Sequence, residues 1–355
     1  MKRILIVKLT SLGDIVFALP LINDIRHAFP SVSIDWVVDD SCRSVLEWHT
    51  DINSIYSPPL REFKKKKRLK DFFKIIKSIL ALRKNKYDAV IDIHGVYKSA
   101  IATWLSRSDI KWGFQDHDLG ESGARLAYNH RLASVPTGSV SEGLRQLVSQ
   151  ALSYDVVSSM DYGILAPVNE ILPVMPSQPP FALLFHGTAG EYKKWSEENW
   201  GMFARYLLSC GVSVLLPWGN HREREVAKRI QHAAPGCSVL PLLSINQLAI
   251  LISNAALVAG VDTGLVHISY ALKKPTLQIF VATSCERYGP CNIKNAWAIS
   301  GINKSSPSVS DACEGLCCIQ RHTGDISFIC THCTKKNRCD INHHAADSAG
   351  GPDSR

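Results

Sequence analysis

Short apolar runs rich in β-branched residues alternate with helical patterns along most of the 355-residue chain. Such alternation is typical of α/β proteins, in which a parallel sheet carries helices on both faces. In the first half it predicts strands at 4–8, 34–38, 88–93 and 110–114 and helices at 15–28, 65–83, 97–106 and 141–153. The pattern starts again with FALLF at 181–185 and continues to PTLQIF at 275–280, so a second sheet of the same kind is predicted.

A proline-rich stretch separates the two halves. The sequence APVNEILPVMPSQPP, residues 166–180, contains five prolines, as interdomain linkers often do. We therefore predict two Rossmann-like domains that face each other across a cleft, with ligands bound beyond the carboxyl ends of the strands. The predicted parts of the chain are a first domain at 1–155, a linker at 156–180, a second domain at 181–305 and a tail at 306–355.

The first strand is followed by the loop TSLGD, residues 10–14. Gly13 permits a tight turn, and Asp14 falls at or near the start of the next helix. A carboxylate is unusual here, because the first turn of such a domain commonly binds a phosphate through backbone N–H groups. Two interpretations of Asp14 remain open. It is an acid of the first helical turn, favoured by the helix dipole, or a general base that takes a proton from an acceptor hydroxyl.

A second strand-end loop, FHGTAGEYKKW at residues 185–195, carries groups suited to a diphosphate. Thr188 offers a hydroxyl, and Lys193 offers the fixed positive charge that a departing phosphate needs. The same residues also fit a simple capped loop, because Ser196 is a favourable start for the helix that follows.

A third strand-end loop, GVDTGLVHISYAL at residues 260–272, opens a helix directly after a strand. Gly264 lets backbone N–H groups approach a phosphate at the helix N-terminus, and Thr263 adds a hydroxyl. His267 lies one turn into this helix, where it is either a core residue or part of the site. Neither GxGxxG nor GxxxxGK[ST] occurs in the chain, so the dinucleotide and P-loop interpretations lose their main support.

Positive charge is concentrated in one segment, residues 61–77. This segment holds nine basic and two acidic residues, a net +7, whereas the whole chain has a net charge of +8. The nearly neutral remainder argues against a nucleic-acid-coating protein and favours one local surface for an anionic partner. The alternative is a solvated helix whose other side packs on the protein through apolar residues, namely Leu69, Phe72, Phe73, Ile76 and Ile79.

The end of the chain is rich in cysteine. Cys330, Cys333 and Cys339, with nearby histidines, include the Cys-x2-Cys spacing of a zinc half-site. The second half of such a site is irregular, and a disordered or non-native extension explains the same composition. A structural zinc ion and an unfolded tail therefore both remain open.

Taken together, these stretches resemble the bacterial heptosyltransferases of the lipopolysaccharide core. The ordered set covers roughly residues 1–285, and it consists of ILIVKLTSLGDIVFALP (4–20), IDWVVDD (34–40), YDAVIDIHGVYKSA (87–100), LFHGT…KKW (184–195), LLPWGNHRERE…AKR (215–229), GVDTGLVHISYAL (260–272) and PTLQIF (275–280). The resemblance implies a GT-B fold, an α/β architecture of two Rossmann-like domains. It also implies a C-terminal helix that crosses back to the first domain, which PSVSDACEGLCC (307–318) would begin.

The resemblance further implies an inverting transfer, without metal or other cofactor, of heptose from ADP-heptose to a Kdo sugar of a lipid A precursor. Asp14 then matches the general base. The donor-binding set matches Thr188, Lys193, Glu223, Asp262, Thr263, Gly264 and His267. The acceptor-binding set is expected at Gly13 and at the basic residues Lys64, Lys65, Lys66, Lys67 and Arg68.

Two other functions remain possible at this stage. The enzyme would keep the ADP-heptose donor and use a protein or an already heptosylated core as acceptor, or the chain would be a nucleotide-binding scaffold without catalysis. No stretch approaches the roughly 18 to 20 apolar residues that span a bilayer, so we expect a cytoplasmic protein, peripheral to the inner membrane, where the lipid acceptor is.

Overall fold

The computed structural model describes residues 1–134, 137–173, 180–290, 293–301 and 306–323. The first domain contains a six-stranded parallel sheet of order β3-β2-β1-β4-β5-β6. Its strands are β1 Arg3–Val7, β2 Ser33–Val37, β3 Ser54–Tyr56, β4 Ala89–Asp92, β5 Lys111–Phe114 and β6 His130–Leu132. Its helices are α1 Leu12–Ala18, α2 Pro20–Ala28, α3 Arg43–Glu47, α4 Leu60–Lys66, α5 Leu69–Leu82, α6 Tyr97–Leu105 and α7 Val140–Leu152.

The second domain repeats this arrangement. Its strands are β7 Phe181–Phe185, β8 Ser213–Leu216, β9 Ser238–Val239, β10 Leu257–Val261, β11 Thr276–Phe280 and β12 Ala296–Ser300, in the order β12-β11-β10-β7-β8-β9. Its helices are α8 Glu197–Ser209, α9 His221–Ala233, α10 Ile245–Asn254, α11 Gly264–Ala271, α12 Cys285–Tyr288 and α13 Val309–Thr323. Counted within each domain, both sheets have the strand order 3-2-1-4-5-6 of a Rossmann fold, so the predicted fold class is confirmed.

Each sheet is covered on both faces, as the apolar runs predict. In β1, Ile4 and Ile6 point to a core shared with α1, α2 and α7, whereas Leu5 and Val7 point to a second core under α5 and α6. This division follows from the two-residue period of a strand, which sends alternate side chains to opposite faces. All four side chains are fully buried, which fits a parallel sheet sandwiched between helices.

Two helices predicted as continuous are interrupted in the structure. The helix predicted at 15–28 is divided into α1 and α2, because Pro20 has no N–H to continue the first hydrogen-bond ladder and instead occupies the first position of α2. The helix predicted at 65–83 is divided into α4 and α5, where Lys67 adopts a left-handed conformation with φ of 47°. The strands β3, β6 and β12 were not predicted, and all three lie at sheet edges.

The segment after α7 is held on the first domain by a buried ion pair. Arg145 and Asp24 meet through two hydrogen bonds of 2.7 Å. Arg145 also donates to the carbonyl oxygens of Val157 and Ser159. The first part of the predicted linker therefore lies against the domain that precedes it.

Helix α13 lies in the region predicted as a tail, and it packs on the second domain. Ala312 and Leu316 are fully buried in the same core as Leu277 and Ile279 of β11. A helix thus begins within 307–318, as the resemblance implies, and over residues 309–323 it extends the second domain. Residues 324–355, in which a crossing to the first domain would continue, lie outside the described residues. Among the described residues, no helix combines the length and the apolar character needed to span a membrane.

Candidate active site

The two domains meet at two glycines, each of which follows a central strand of its sheet. Gly13 lies in α1 after β1, and Gly264 is the first residue of α11 after β10. A Cβ atom on Gly13 would lie 2.9 Å from Cδ2 of His267, and one on Gly264 would lie 3.0 Å from the backbone nitrogen of Gly13. The ring of Phe17 packs on His267 with centroids 4.5 Å apart. The strand-end loops of the two domains therefore face each other in direct contact.

Asp14 is the third residue of α1 and half-buried at this junction. Its Oδ2 accepts hydrogen bonds from the backbone N–H of Ser11 at 2.8 Å and from the Ser11 hydroxyl at 2.7 Å. The interpretation as an acid of the first helical turn is thus realised. Both bonds fall on one oxygen, so the same carboxylate retains an atom for a further donor, and its role as a base stays a prediction.

A polar cluster that the sequence did not predict lies behind Asp14. His94 Nδ1 accepts a hydrogen bond from the N–H of Leu9, and burial lowers the pKa of His94 to about 4, so the ring is neutral near pH 7. Burial also lowers the pKa of Lys8, whereas the nearby charges of Asp14 and Asp92 act in the opposite direction. Their positions at strand ends could have indicated these two residues, since Lys8 directly follows β1 and His94 lies two residues beyond the end of β4.

Asp92 is the fully buried centre of that cluster. It accepts hydrogen bonds from the backbone N–H groups of His94 and Gly95 and from the hydroxyls of Tyr128 and Thr103. Burial raises the pKa of Asp92, and these hydrogen bonds only partly oppose the rise. The network fixes the loop between β4 and α6 beside the Asp14 loop.

Asp262 contacts four polar side chains on the second domain's side of the site. Its Oδ2 accepts from Lys193 Nζ at 2.6 Å and from the Thr283 hydroxyl at 3.0 Å, and its Oδ1 lies 3.3 Å from His267 Nε2. The Thr188 hydroxyl donates to the Asp262 carbonyl oxygen at 3.0 Å. Burial alone would raise the pKa of Asp262, but the hydrogen bonds from His267 and Lys193 hold it at about 2.

His267 is oriented by Tyr270, another residue that the sequence did not predict. The Tyr270 hydroxyl lies 2.9 Å from His267 Nδ1, and both side chains are buried. A ring protonated on Nε2 accepts from Tyr270 and donates to Asp262, which satisfies both ring nitrogens. Tyr270 is one turn after His267 on α11, so the helical period could have indicated it.

Glu223 lies in the first turn of α9, against the loop that carries Thr188. A Cβ atom on Gly187 would lie 2.6 Å from Cδ of Glu223, so these groups are in close contact. The Glu223 carboxylate accepts from the N–H of Gly219 and from the Asn220 side chain, each at 2.7 Å. The structure thus gathers Glu223 and the other predicted donor-site residues on the loops and first helical turns that follow β7, β8 and β10.

The basic residues Lys64–Arg68 form an exposed corner between α4 and α5, where Lys66 pairs with Glu62 at 2.7 Å. Most of the apolar residues beside them are exposed to solvent, although the Phe72 ring lies 6.1 Å from the ring of Phe63. Leu69, Phe72, Phe73 and Ile76 are exposed, so the interpretation as a helix packed through these residues is wrong, although Ile79 is half-buried.

The predicted zinc ligands Cys330, Cys333 and Cys339 lie outside the described residues. Within the described ranges, no group of three or more histidine, cysteine, aspartate or glutamate side chains is placed to hold a metal ion.

The site combines one carboxylate from the first domain with a lysine, hydroxyls and a helix N-terminus from the second. Such a set can accept a proton from a nucleophile on one side and stabilise a departing phosphate on the other. Glycines at the junction permit the close approach that this division of roles requires.

Comparison with known proteins identifies the family of this chain. Residues 75–318 match the model of glycosyltransferase family 9 (heptosyltransferase). The chain is 34% identical over 296 residues to lipopolysaccharide heptosyltransferase 1 of Pseudomonas aeruginosa, covering 79% of each chain. It is also similar to two solved structures of the Escherichia coli heptosyltransferase WaaC, at 28% identity over 88% of this chain and 98% of the other. The TM-score is 0.77 for the structure with ADP and 0.74 for the one with ADP-2-deoxy-2-fluoro heptose. The chain therefore belongs to glycosyltransferase family 9, the heptosyltransferases.

Proposed function

We propose that this chain is an inverting, metal-independent transferase that moves heptose from ADP-heptose to a Kdo residue of lipid A-linked inner-core lipopolysaccharide. Its family and its similarity to lipopolysaccharide heptosyltransferases support heptose transfer in core biosynthesis. The observation that carries the mechanism is the contact of Gly13 with His267 and Gly264, since it sets the Asp14 loop against the Lys193–Asp262 pair.

In this mechanism the second domain binds the donor. The N–H groups at the start of α11, from Thr263 and Gly264, and the hydroxyl of Thr188 contact the diphosphate. Lys193 neutralises the charge that grows on the leaving ADP, and Asp262 holds Lys193 in place through the 2.6 Å contact. Glu223 contacts the ribose from the adjacent loop.

The first domain supplies the base. Asp14 takes the proton of the acceptor hydroxyl while that oxygen attacks the anomeric carbon of heptose. The bond between the anomeric carbon and the phosphate oxygen breaks, and ADP leaves with its electron pair. A single displacement inverts the anomeric centre and requires only one catalytic carboxylate. Positive charge at the leaving group comes from Lys193 and the backbone donors, which is why we propose no metal ion and no other cofactor.

The proposed acceptor is anionic and lies at the inner-membrane surface. Lys64, Lys65, Lys66, Lys67 and Arg68 form the exposed basic corner that would contact its phosphates and carboxylates. Each lysine near an anionic surface contributes about 1 kcal/mol, so several of them together suffice for a peripheral cytoplasmic enzyme to find a lipid acceptor.

A transfer assay with ADP-heptose and three acceptors tests this function. Kdo-lipid A, an already heptosylated core and a peptide acceptor are compared under identical conditions. We expect turnover with Kdo-lipid A, while preferential transfer to the heptosylated core or to the peptide would instead support the alternative acceptors. Donor binding without transfer to any of the three would support a non-catalytic scaffold.

A further inference from the structure

The outer side of the first domain carries an exposed apolar surface. It is formed by α5, by α6 and by the 3-10 turn Ser122–Ala127 that adjoins α6. We call it the apolar face, and its exposed members are Leu69, Phe72, Phe73, Ile76, Leu80, Tyr97, Ile101, Trp104 and Leu126. Their exposure is high for apolar side chains, for example 66% for Phe73 and 65% for Trp104. Exposed apolar side chains that cluster on neighbouring elements mark an interaction site.

The apolar residues of α5 are arranged as an outward stripe. Leu69, Phe72, Phe73, Ile76 and Leu80 follow the spacing of one helical side, while the opposite side turns Asp71 and Leu82 into the protein. A surface helix normally buries its apolar side against the core and exposes its polar side to solvent. Helix α5 therefore presents a second apolar side that the described part of the chain does not cover.

Helices α5 and α6 lie on the same face of the sheet, over one core that contains Leu82 and Ala102, and they end beside each other. Arg83 Nη1, at the end of α5, donates to the carbonyl oxygen of Leu105 at the end of α6, 2.8 Å away. Tyr97, Ile101 and Trp104 recur at helical spacing on α6 and are exposed, so this helix carries a second apolar stripe. Gly123 of the 3-10 turn packs against Tyr97, which joins Leu126 to the same surface.

Positive charge lines this surface along one edge. Lys70, Lys74 and Lys77 lie beside the stripe of α5, and the corner at Lys64–Arg68 continues the row. Residues 61–77 together carry nine basic and two acidic residues. An apolar side bordered by lysines is the pattern of helices that lie in the interface of an anionic bilayer. Two copies of this chain paired through the same face would bring two such positive segments together, which disfavours a dimer.

We propose that the apolar face docks on an anionic phospholipid bilayer, with Phe72, Phe73 and Trp104 inserted at the level of the headgroups. This docking deepens the proposed function and rests on it, because its purpose is to reach an acceptor carried by a lipid. Helix α6 begins three residues after His94, at the end of the sheet where Asp14 lies. A bilayer bound to this face would therefore lie beside the acceptor side of the cleft.

The fluorescence of Trp104 reports directly on docking. All eight tryptophans of the chain lie among the described residues, and Trp104 is the one that is exposed. The full-length protein is mixed with vesicles of phosphatidylglycerol and phosphatidylethanolamine, and binding is measured by co-sedimentation. We expect a blue shift of the Trp104 emission, quenching by brominated acyl chains, and weaker binding to phosphatidylcholine vesicles or at high salt.

A variant carrying Phe72→Ser and Phe73→Ser should bind the anionic vesicles at least roughly tenfold more weakly. A matched control carries Val168→Ser and Leu242→Ser, which remove exposed apolar side chains from elsewhere on the surface, and it should bind like the wild type. Equal vesicle binding by the wild type and the Phe72/Phe73 variant would overturn the proposal. So would a dimer in solution that this variant dissociates, because the face would then pair two copies.

Transfer to a deacylated, water-soluble Kdo acceptor separates this proposal from the proposed function. The Phe72/Phe73 variant should retain wild-type turnover with that acceptor and lose turnover with the vesicle-bound one. Vesicle binding that depends on Phe72 and Phe73, together with no heptose transfer by the wild type to any acceptor, would uphold the docking surface and contradict the proposed function.

Discussion

The backbone of Gly13 lies so close to the His267 ring that a single added Cβ atom would come within 2.9 Å of His267 Cδ2. One residue belongs to the first domain and the other to the second, and each lies just beyond the end of a central strand. The contact brings the loop of Asp14 to the ring that hydrogen-bonds Asp262 and Tyr270. The proposed catalysis requires this close approach of the two domains.

Gly13→Ala should impair the approach of the domains. The new methyl group must displace the buried His267 ring, which has little space to move between Phe17 and Tyr270. We expect kcat/KM for heptose transfer to fall by about tenfold or more, with the protein still folded. Gly138→Ala is the matched control, because a Cβ atom there meets nothing within 4 Å. Equal losses in both variants would contradict the role of the contact.

Lys193→Met should remove the counter-charge of the leaving group. The shape of the side chain is largely kept, but Asp262 loses its 2.6 Å partner. We expect kcat to fall by about 10²–10³, as for other single groups that stabilise transition-state charge, and donor affinity to fall less. Wild-type turnover should be unchanged after exhaustive chelation. Activity that disappears with chelator and returns with a divalent cation would contradict the assignment of this charge to Lys193.

His94 should make folding stability depend on pH between 4 and 6.5. Its folded-state pKa of about 4 lies below the ordinary value of 6.5 because burial disfavours the charged ring. The unfolded chain then binds more protons in this window, so stability rises with pH from 4 to 6.5 and is reduced at lower pH. His94→Asn retains an acceptor for the Leu9 N–H. In this variant the gain in unfolding free energy between pH 4 and 6.5 should be smaller by up to about 3 kcal/mol. Urea titrations at pH 4.5 and 7 measure it, and equal slopes in the two proteins would refute the assignment.

Breaking the buried pair of Asp24 and Arg145 should destabilise the first domain. Asp24→Asn leaves the Arg145 guanidinium, which also binds the carbonyls of Val157 and Ser159, without its counter-charge. We expect a loss of about 3–5 kcal/mol in the free energy of unfolding. Lys86→Gln is a suitable control because both side chains of its ion pair with Asp109 are exposed to solvent, and such a pair contributes only about 0–1 kcal/mol. Comparable losses of unfolding free energy in the two variants would show that the buried pair stabilises the protein no more than an exposed one.

The fold was largely predictable because strand periodicity, helix periodicity and the proline-rich break all act locally. The strand-end rule also brought out Asp14, Thr188 and Asp262, since parallel strands end at one edge of a sheet. Long-range partners were not predictable. Nothing local indicates that the Thr283 hydroxyl would hydrogen-bond to Asp262, nor that the Tyr128 hydroxyl would hydrogen-bond to Asp92. The exposed stripe of α5 was misjudged for a related reason, since an amphipathic pattern does not tell which side faces the protein.

The central claim is that Asp14 is the base, and Asp14→Asn tests it when donor binding and turnover are measured separately. Asparagine can still accept the hydrogen bonds from Ser11, and Ser11→Ala serves as the control that removes one of those bonds while keeping the carboxylate. We predict that Asp14→Asn binds ADP-heptose like the wild type and loses about 10²–10⁴ in kcat, as expected for removal of a general base. Turnover by Asp14→Asn equal to that of the wild type would contradict the account.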